Sequence, residues 1–537
     1  MNSYNVRSMK KRPLVQLVFS KLKFTLLLLS CMSWLPRVLY ADQKPPNIIL
    51  FLVDDLGWSD LQCYGSRFHE TPNIDAMAAK GWKFTQAYAA CHVCSPTRAS
   101  VMTGKYPARL QLTDWLPGRT DHPFQKLLGP RPRLALPLEE FTLPEALKKH
   151  GYRTAHIGKW HLGEEPFGPA AQGFDLQIPR WNKGWPKSGF HAPFELEALA
   201  DKPGDYLTDR LTDEAELFIE DCHQQPFFLY LSHFAVHDPI QGRKDLVAHY
   251  EAKKMKMDTE SSPPFLLEGN PDDLSPASRD LLNSMIEKPA WSGHKILPER
   301  TVKIKQRQDN VQFAAMVTAI DESLGRILAK LKSLKIEDNT IIVFFSDNGG
   351  MSAANFGNPD RIVGKKQLDA AYSSSNLPLR GAKGWLYEGG IRVPMIVQYP
   401  ALQSRGRVCD LSVISNDLYP TILELANLPA RPEQHRDGVS LAGLIKGTSN
   451  SLERPALYWH FPHYSNHGMQ SPCAAVRSGD YKLIEYFENN TIQLFNLQTD
   501  IGEQNDLSRL EPNKADELRG MLHQWYIEVG AQMPQSK

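Results

Sequence analysis

Four absences narrow the reading of this 537-residue chain. Net charge is nearly absent, with 61 Lys+Arg against 60 Asp+Glu. Such a chain has no global field to hold nucleic acid or an anionic membrane, so no nucleic-acid partner is expected. An anionic substrate would have to be met by a few local charges. Cysteine is scarce: there are seven, at 31, 63, 91, 94, 222, 409 and 473. Their irregular spacing builds no zinc site, because Cys91-His-Val-Cys94 has no second pair to complete it. In an exported protein they leave room for one or two disulfides. Long apolar runs are missing after the N-terminus, so no stable membrane span is expected. Internal repeats are missing too. A single N-glycosylation sequon, Asn489-Asn490-Thr491, favours a bacterial protein over a lysosomal one.

At the N-terminus, Lys10, Lys11, Arg12, Lys21 and Lys23 precede the apolar run 24–29, and a cleavage point follows Ala41. Residues 1–41 therefore read as an export signal, placing the mature chain in the periplasm or outside the cell. The remaining length suits a large catalytic part and a smaller partner, expected at 42–450 and 451–537.

Hydrophobic residues make up 42% of the chain, enough for a sizeable core. Apolar, β-branched runs lie at 47–53, 152–157, 227–231, 340–345 and 393–399. Continuous runs of this kind suit strands buried on both faces. Helical patterns fall between them. Thr71-Pro72 opens one, and Phe313, Val317, Ile320, Leu324, Ile327, Leu328 and Leu331 mark another. The class is α/β, a mostly parallel sheet sandwiched by helices. Residues 238–299 read as an elaborated loop region with room for short helices. After about residue 451, short runs at 456–460, 474–477, 481–486 and 493–497, with a helix at 514–529, predict a small antiparallel sheet.

Ligands bind beyond the carboxyl ends of parallel strands. Four of the runs end in chemically loaded residues: Asp54-Asp55, Gly158-Lys159-Trp160-His161, His233 with His237, and Ser346-Asp347-Asn348-Gly349. Asp54, Asp55, Asp347 and Asn348 offer hard oxygen ligands, which suit calcium or magnesium. In Cys94-Ser-Pro-Thr-Arg98, Ser95 suits a helix cap and Pro96 a first turn, so Cys94 is expected at a helix N-terminus that favours anions. Read alone, Cys94 is either a reactive thiol or a buried small residue.

Cys94-x-Pro96-x-Arg98 resembles the signature of the type I sulfatases of the alkaline phosphatase superfamily. Gly151-Tyr-Arg-Thr-Ala-His-Ile-Gly-Lys-Trp-His-Leu-Gly163 is similar to the second signature of that family. Asp54-Asp55, Ser346-Asp-Asn-Gly349, Gly381-Ala-Lys383-Gly and Glu388-Gly-Gly-Ile-Arg-Val-Pro394 fit as well. Thr97 departs from the common Ser but keeps the hydroxyl. The resemblance implies an alkaline-phosphatase-like fold with a C-terminal α+β subdomain. It also implies a maturation enzyme, formylglycine-generating or anaerobic, that converts Cys94 to formylglycine.

The resemblance further implies Ca2+ held by Asp54, Asp55, residue 94, Asp347 and Asn348. The hydrated aldehyde then attacks sulfur with one hydroxyl, and the other later expels sulfate. Arg98, Lys159 and Lys383 would neutralise the sulfonyl oxygens. His237, alone or with Lys383, would protonate the leaving oxygen, and His161 or a neighbour would take the proton in the second step. The substrate expected is a sulfated saccharide, a galactose-type sulfate of a marine polysaccharide or glycosaminoglycan, taken from a chain end. Asp114, Trp115 and Arg119 in Thr113-Asp-Trp-Leu-Pro-Gly-Arg119 are candidates to read the sugar. So are His463 and His467 in His460-Phe-Pro-His-Tyr-Ser-Asn-His467. A phosphodiester or phosphonate hydrolase and an inactive sulfatase-like binding protein are the alternatives.

Overall fold

Every residue of the strand β1 (Asn47–Val53) is buried. Side chains alternate across a strand. Accordingly Ile49, Phe51 and Val53 enter one hydrophobic cluster and Ile48, Leu50 and Leu52 another. β1 is thus covered on both faces, as a continuous apolar run requires. The computed structural model describes Met1 and residues 44–119, 121, 125–257, 263–285, 301–354, 371–399, 406–467 and 470–537. The export signal read at 1–41 falls outside the described residues, apart from Met1.

The main sheet has nine strands. After β1 come β2 (Trp82–Tyr88), β3 (Arg153–Gly158), β4 (Leu176–Ile178), β5 (Phe227–Ser232), β6 (Thr340–Ser346), β7 (Arg392–Gln398), β8 (Arg407–Cys409) and β9 (Val413–Ile414). Their order is β8-β2-β7-β6-β1-β5-β3-β4, with β9 also beside β2. β6, β1, β5, β3 and β4 are mutually parallel, and β7 runs against both of its neighbours. The five apolar runs are all strands, within a residue of the expected bounds. β2 was not expected, because Trp-Lys-Phe-Thr-Gln-Ala-Tyr has no continuous apolar run and is only partly buried.

One face of the sheet carries the helices α1 (Pro72–Lys80), α3 (Leu207–Cys222) and α4 (Val311–Ser333). The other carries α2 (Cys94–Thr103) and α5 (Leu418–Leu425). Asn310 caps α4 by accepting from the amides of Gln312 and Phe313 at 3.0 and 3.1 Å. Within the segment read as loop, residues Lys244–Lys254 form a helix, and Phe265–Glu268 pairs with Val302–Lys305.

The strands β10 (Leu457–Phe461), β11 (Cys473–Ser478), β12 (Tyr481–Tyr486) and β13 (Ile492–Asn496) form the antiparallel C-terminal sheet. The helix α6 (Pro512–Val529) buries Ala515, Leu518, Leu522, Trp525 and Val529, a stripe at helical spacing. These side chains share a cluster with Tyr88, Trp385 and Tyr387, and Pro45–Lys537 is one compact unit. The six described cysteines are free thiols, so none of the disulfides allowed by the sequence is formed among them. No helix among the described residues is long and apolar enough to cross a membrane.

Candidate active site

The register sets four strand ends at one level. Leu52 pairs with Ser232, Val53 with Ser346, and Gly158 with Ser232. The residues that follow, Asp54-Asp55, Lys159, His233 and Asp347-Asn348, therefore meet along one edge. Because β7 is antiparallel, the approach to it through Lys383 and Glu388 reaches the same edge. The packing there leaves no room for side chains at two positions. A Cβ on Gly158 would stand 1.8 Å from the Ser232 carbonyl oxygen, and one on Gly349 1.9 Å from that of Gly389.

Cys94 is the first residue of α2, with Val93 as an extended N-cap that makes no side-chain cap bond. The helix thus starts before Ser95, the expected cap. Ser95 Oγ instead accepts from the Leu116 amide at 3.1 Å. Thr97, the departure from the common motif, uses its hydroxyl on both the amide and the carbonyl of Cys91, each at 3.1 Å.

Beneath Cys94 lies a fully buried layer of opposite charges. Arg98 Nε donates to Asp347 Oδ2 at 2.8 Å, and Nη1 donates to the Lys159 carbonyl at 2.9 Å and Ser232 Oγ at 2.5 Å. Nη2 lies 3.9 Å from Asp54 Oδ1. Nε and Nη1 of the guanidinium are thus engaged by Asp347 and its neighbours, and Nη2 makes no hydrogen bond. Lys159 Nζ donates to Asp54 Oδ2. Lys383 Nζ sits between the two oxygens of Asp55, at 2.7 and 2.8 Å.

The residues fit a hard divalent cation. Oxygen or sulfur atoms of Asp54, Cys94 and Asp347 lie within 4.8 Å of one another. Asn348 Nδ2 is spent on Asp55 Oδ1 at 2.7 Å and on the Gly349 carbonyl at 3.0 Å. That leaves Asn348 Oδ1 as a free acceptor. This atom and Asp54 Oδ1 are buried without hydrogen-bond partners, a costly arrangement unless something positive is bound there. Three carboxylates (Asp54, Asp55, Asp347) balance three cations (Arg98, Lys159, Lys383). A divalent ion would make the site positive and able to receive an anionic ester.

Above this layer a cavity of about 120 Å³ is lined by Val93, Cys94, Trp115, His161, Gly184, Trp185, His237, Lys383, Asn466 and His467. His161 Nε2 is 2.5 Å from the Leu116 carbonyl and must donate to it. Its Nδ1, left as an acceptor, is 3.2 Å from Cys94 Sγ. Burial, then the Lys159 charge, holds the His161 pKa well below the ordinary value, so the ring is neutral. On His237, burial and Lys383 push the pKa down, but Asp55, Asp238 and Asp54 outweigh them and the net shift is upward. Its Nδ1 lies 2.7 Å from Asp238 Oδ1 and its Nε2 3.7 Å from Asp55 Oδ2. Two histidines pushed apart in this way are of the kind that can serve as a base and an acid. Burial raises the Cys94 thiol pKa against the pull of Lys159 and Lys383. An unmodified Cys94 is therefore no ready thiolate.

The residues expected to read a sugar divide. Trp115 and His467 line the cavity. His467 is 4% exposed, and both its ring nitrogens lack partners. Asp114, His463 and Arg119 do not line it. Asp114 Oδ1 accepts from the Trp115 amide at 2.8 Å, and His463 Nε2 lies 2.9 Å from Thr113 Oγ1. The Arg119 guanidinium lies over the Tyr464 ring at 5.6 Å. His233 Nε2 lies 3.0 Å from Ser323 Oγ and does not line the cavity. Trp185 and Gly184 were missed, because 179–193 shows no period that would single them out. Asn466, whose Oδ1 is buried without a partner, stands beside a residue that the sequence did single out.

The Sulfatase family profile matches residues 46–428, and that of the N-sulphoglucosamine sulphohydrolase C-terminal region matches 382–531. The chain is 28% identical to a sulfatase of Formosa agariphila, covering 91% of this chain and 90% of that one. It is 30% identical to the N-acetylgalactosamine-6-sulfatase of Mus musculus, covering 88% and 78%. The crystal structure of Ps i-CgsB in complex with k-i-k-neocarrahexaose matches with a TM-score of 0.65 and 28% identity, covering 90% of this chain and 93% of that one.

Proposed function

The chain belongs to the sulfatase family of the alkaline phosphatase superfamily and is a sulfuric ester hydrolase; on that premise we propose that it desulfates a saccharide at a chain end, with formylglycine at residue 94 and calcium as the metal. The observation that carries the mechanism is the pairing of His161 Nδ1 with Cys94 Sγ at 3.2 Å. The sulfur stands where an oxygen of the matured residue would be.

Calcium, held by Asp54, Asp55, Asp347, Asn348 and residue 94, would supply positive charge to the sulfonyl oxygens and to the nucleophile. Arg98 fixes Asp347 for that task. Lys383 meets the sulfonyl oxygens from the cavity side, and Lys159 acts on residue 94 from beneath. His237 holds a proton on Nε2 for the leaving oxygen. His161, neutral and with Nδ1 free, accepts the proton of the hydroxyl at residue 94 when sulfate is expelled. The second hydroxyl of the hydrated aldehyde is what a serine would lack.

For the sugar, Trp115 offers an aromatic face, and Asn466 and His467 offer unpartnered polar atoms for hydroxyl groups. The mouse relative is named for N-acetylgalactosamine 6-sulfate, and a solved relative is in complex with a neocarrahexaose. Both names support a galactose-type sulfate of a glycosaminoglycan or marine polysaccharide. The small cavity supports a chain-end unit. The reading includes export to the periplasm or beyond, a maturation enzyme as partner, and division into a catalytic part, 42–450, and a C-terminal part, 451–537. Defined sulfated saccharides, 4-nitrophenyl sulfate and an aryl phosphodiester, assayed side by side, test it. Sulfate release from the saccharides is expected. Faster phosphodiester cleavage would favour a phosphodiesterase instead.

A further inference from the structure

One five-residue loop, 181–185, walls three cavities in succession. Gly184 and Trp185 line the cavity that holds Cys94. Asn182 and Lys183 line the next, of about 660 Å³, which shares His161 with the first. Trp181, Asn182 and Lys183 line a third, of about 780 Å³, which shares Glu164 and Glu165 with the second. Cavities of this size accept organic ligands of some bulk. Together they make one path leading away from residue 94.

The loop is built to stay in place. Trp181 Nε1 donates to the Trp185 carbonyl at 2.6 Å and closes it. Gln177 Nε2 donates to Asn182 Oδ1 at 2.8 Å and anchors it to the main sheet. A Cβ on Gly184 would stand 2.3 Å from the His161 ring, so the loop backbone lies directly on that histidine. Trp185 is nonetheless 40% exposed and lines the Cys94 cavity, and Trp181 lines the third. Of the cations beside the path, Lys183 pairs with Glu164 and Arg180 with Glu197, and Arg133 also lines the second cavity. Glu139 and Glu165 add negative charge to the walls.

Resting on the saccharide reading above, we propose that the loop 181–185 is a rail for the sugars that follow the sulfated end unit, and that those neighbouring sugars are uncharged. The end unit enters the Cys94 cavity past Trp185. The next units run along Asn182 and stack towards Trp181. Five carboxylates, Glu139, Glu164, Glu165, Asp175 and Glu197, outnumber the three cations Arg133, Arg180 and Lys183 on these walls and disfavour a second sulfate there.

The test measures kcat/KM for galactose 6-sulfate as the monosaccharide and as the end unit of otherwise unsulfated tri- and pentasaccharides. 4-Nitrophenyl sulfate serves as the sulfatase control. A rise of about tenfold from monosaccharide to pentasaccharide is expected, the scale of one good aromatic contact. In Trp181→Ala the ratio of pentasaccharide to monosaccharide should fall towards one, and Trp181→Phe should keep most of it. General damage to the fold lowers both substrates and leaves the ratio unchanged. Equal kcat/KM along the wild-type series, or an unaltered ratio in Trp181→Ala, overturns the rail alone. Release from the aryl ester with none from any saccharide overturns the saccharide reading and the rail with it.

Discussion

His161 Nδ1 faces Cys94 Sγ at 3.2 Å, while its other nitrogen is fixed on the Leu116 carbonyl at 2.5 Å. The backbone acceptor therefore selects the tautomer and leaves the lone pair on the side of residue 94. Replacing His161 by Gln should cut turnover by about 10²–10⁴ without loss of fold, as judged by thermal unfolding. Turnover near the wild-type level would remove His161 as the base.

Active protein should carry formylglycine at residue 94. Peptide mass spectrometry should show the thiol replaced by an aldehyde. Chain held entirely as unmodified Cys94 should be inactive, since burial keeps that thiol protonated. Full activity from the unmodified chain would refute this chemistry.

Exhaustive chelation should abolish sulfate release, and calcium should restore it. Asn348→Ala, which removes an unpartnered buried oxygen, should weaken metal binding measured by titration calorimetry. Asp347→Ala should also strand the Arg98 guanidinium that it neutralises at 2.8 Å, lowering stability as well as activity. A metal-free enzyme that still turns over would show that the ligand set is misassigned.

The His237 pKa lies above the ordinary value of 6.5. Its protonated form therefore persists to higher pH and is lost as pH rises through the raised pKa. For a saccharide sulfate, whose alkoxide leaves poorly, kcat/KM should fall along that alkaline limb. In His237→Asn the limb should disappear for the saccharide, at a lower overall rate. 4-Nitrophenyl sulfate, with its good leaving group, should show a shallower limb from the start. An unchanged limb in the variant would assign the acid to another group.

Asp114 is buried, and burial pushes its carboxyl up to about 7 against the Trp115 amide and the Arg119 charge. The unfolded chain binds that proton only below about pH 4. The stability contribution is therefore full at low pH and is lost as pH rises towards 7. Asp114→Asn should gain about 2 kcal/mol over the wild type between pH 5 and pH 8, read by denaturant unfolding. A pH-independent difference would mean that Asp114 is charged throughout.

The sequence by itself determined the sheet and which residues meet at its edge. The runs 47–53, 227–231 and 340–345 are apolar at every position but the first of the first and last, a pattern that only a strand covered on both faces satisfies, and loaded residues follow each directly. Cys94, Asp54, Asp55, Asp347 and Asn348 were legible for the same reason: short-range motifs carry them, and parallel strands bring their ends together. β2 was not legible, because a mixed strand takes its place from its neighbours. Only the tertiary structure decided that Arg98 bonds to Asp347, 249 residues away, and that Trp115 and His467 line the cavity while Asp114 and His463 do not. It alone placed Trp185 against His161. A contact between segments so far apart depends on how whole elements pack, and no local spacing encodes the direction in which a side chain finally points.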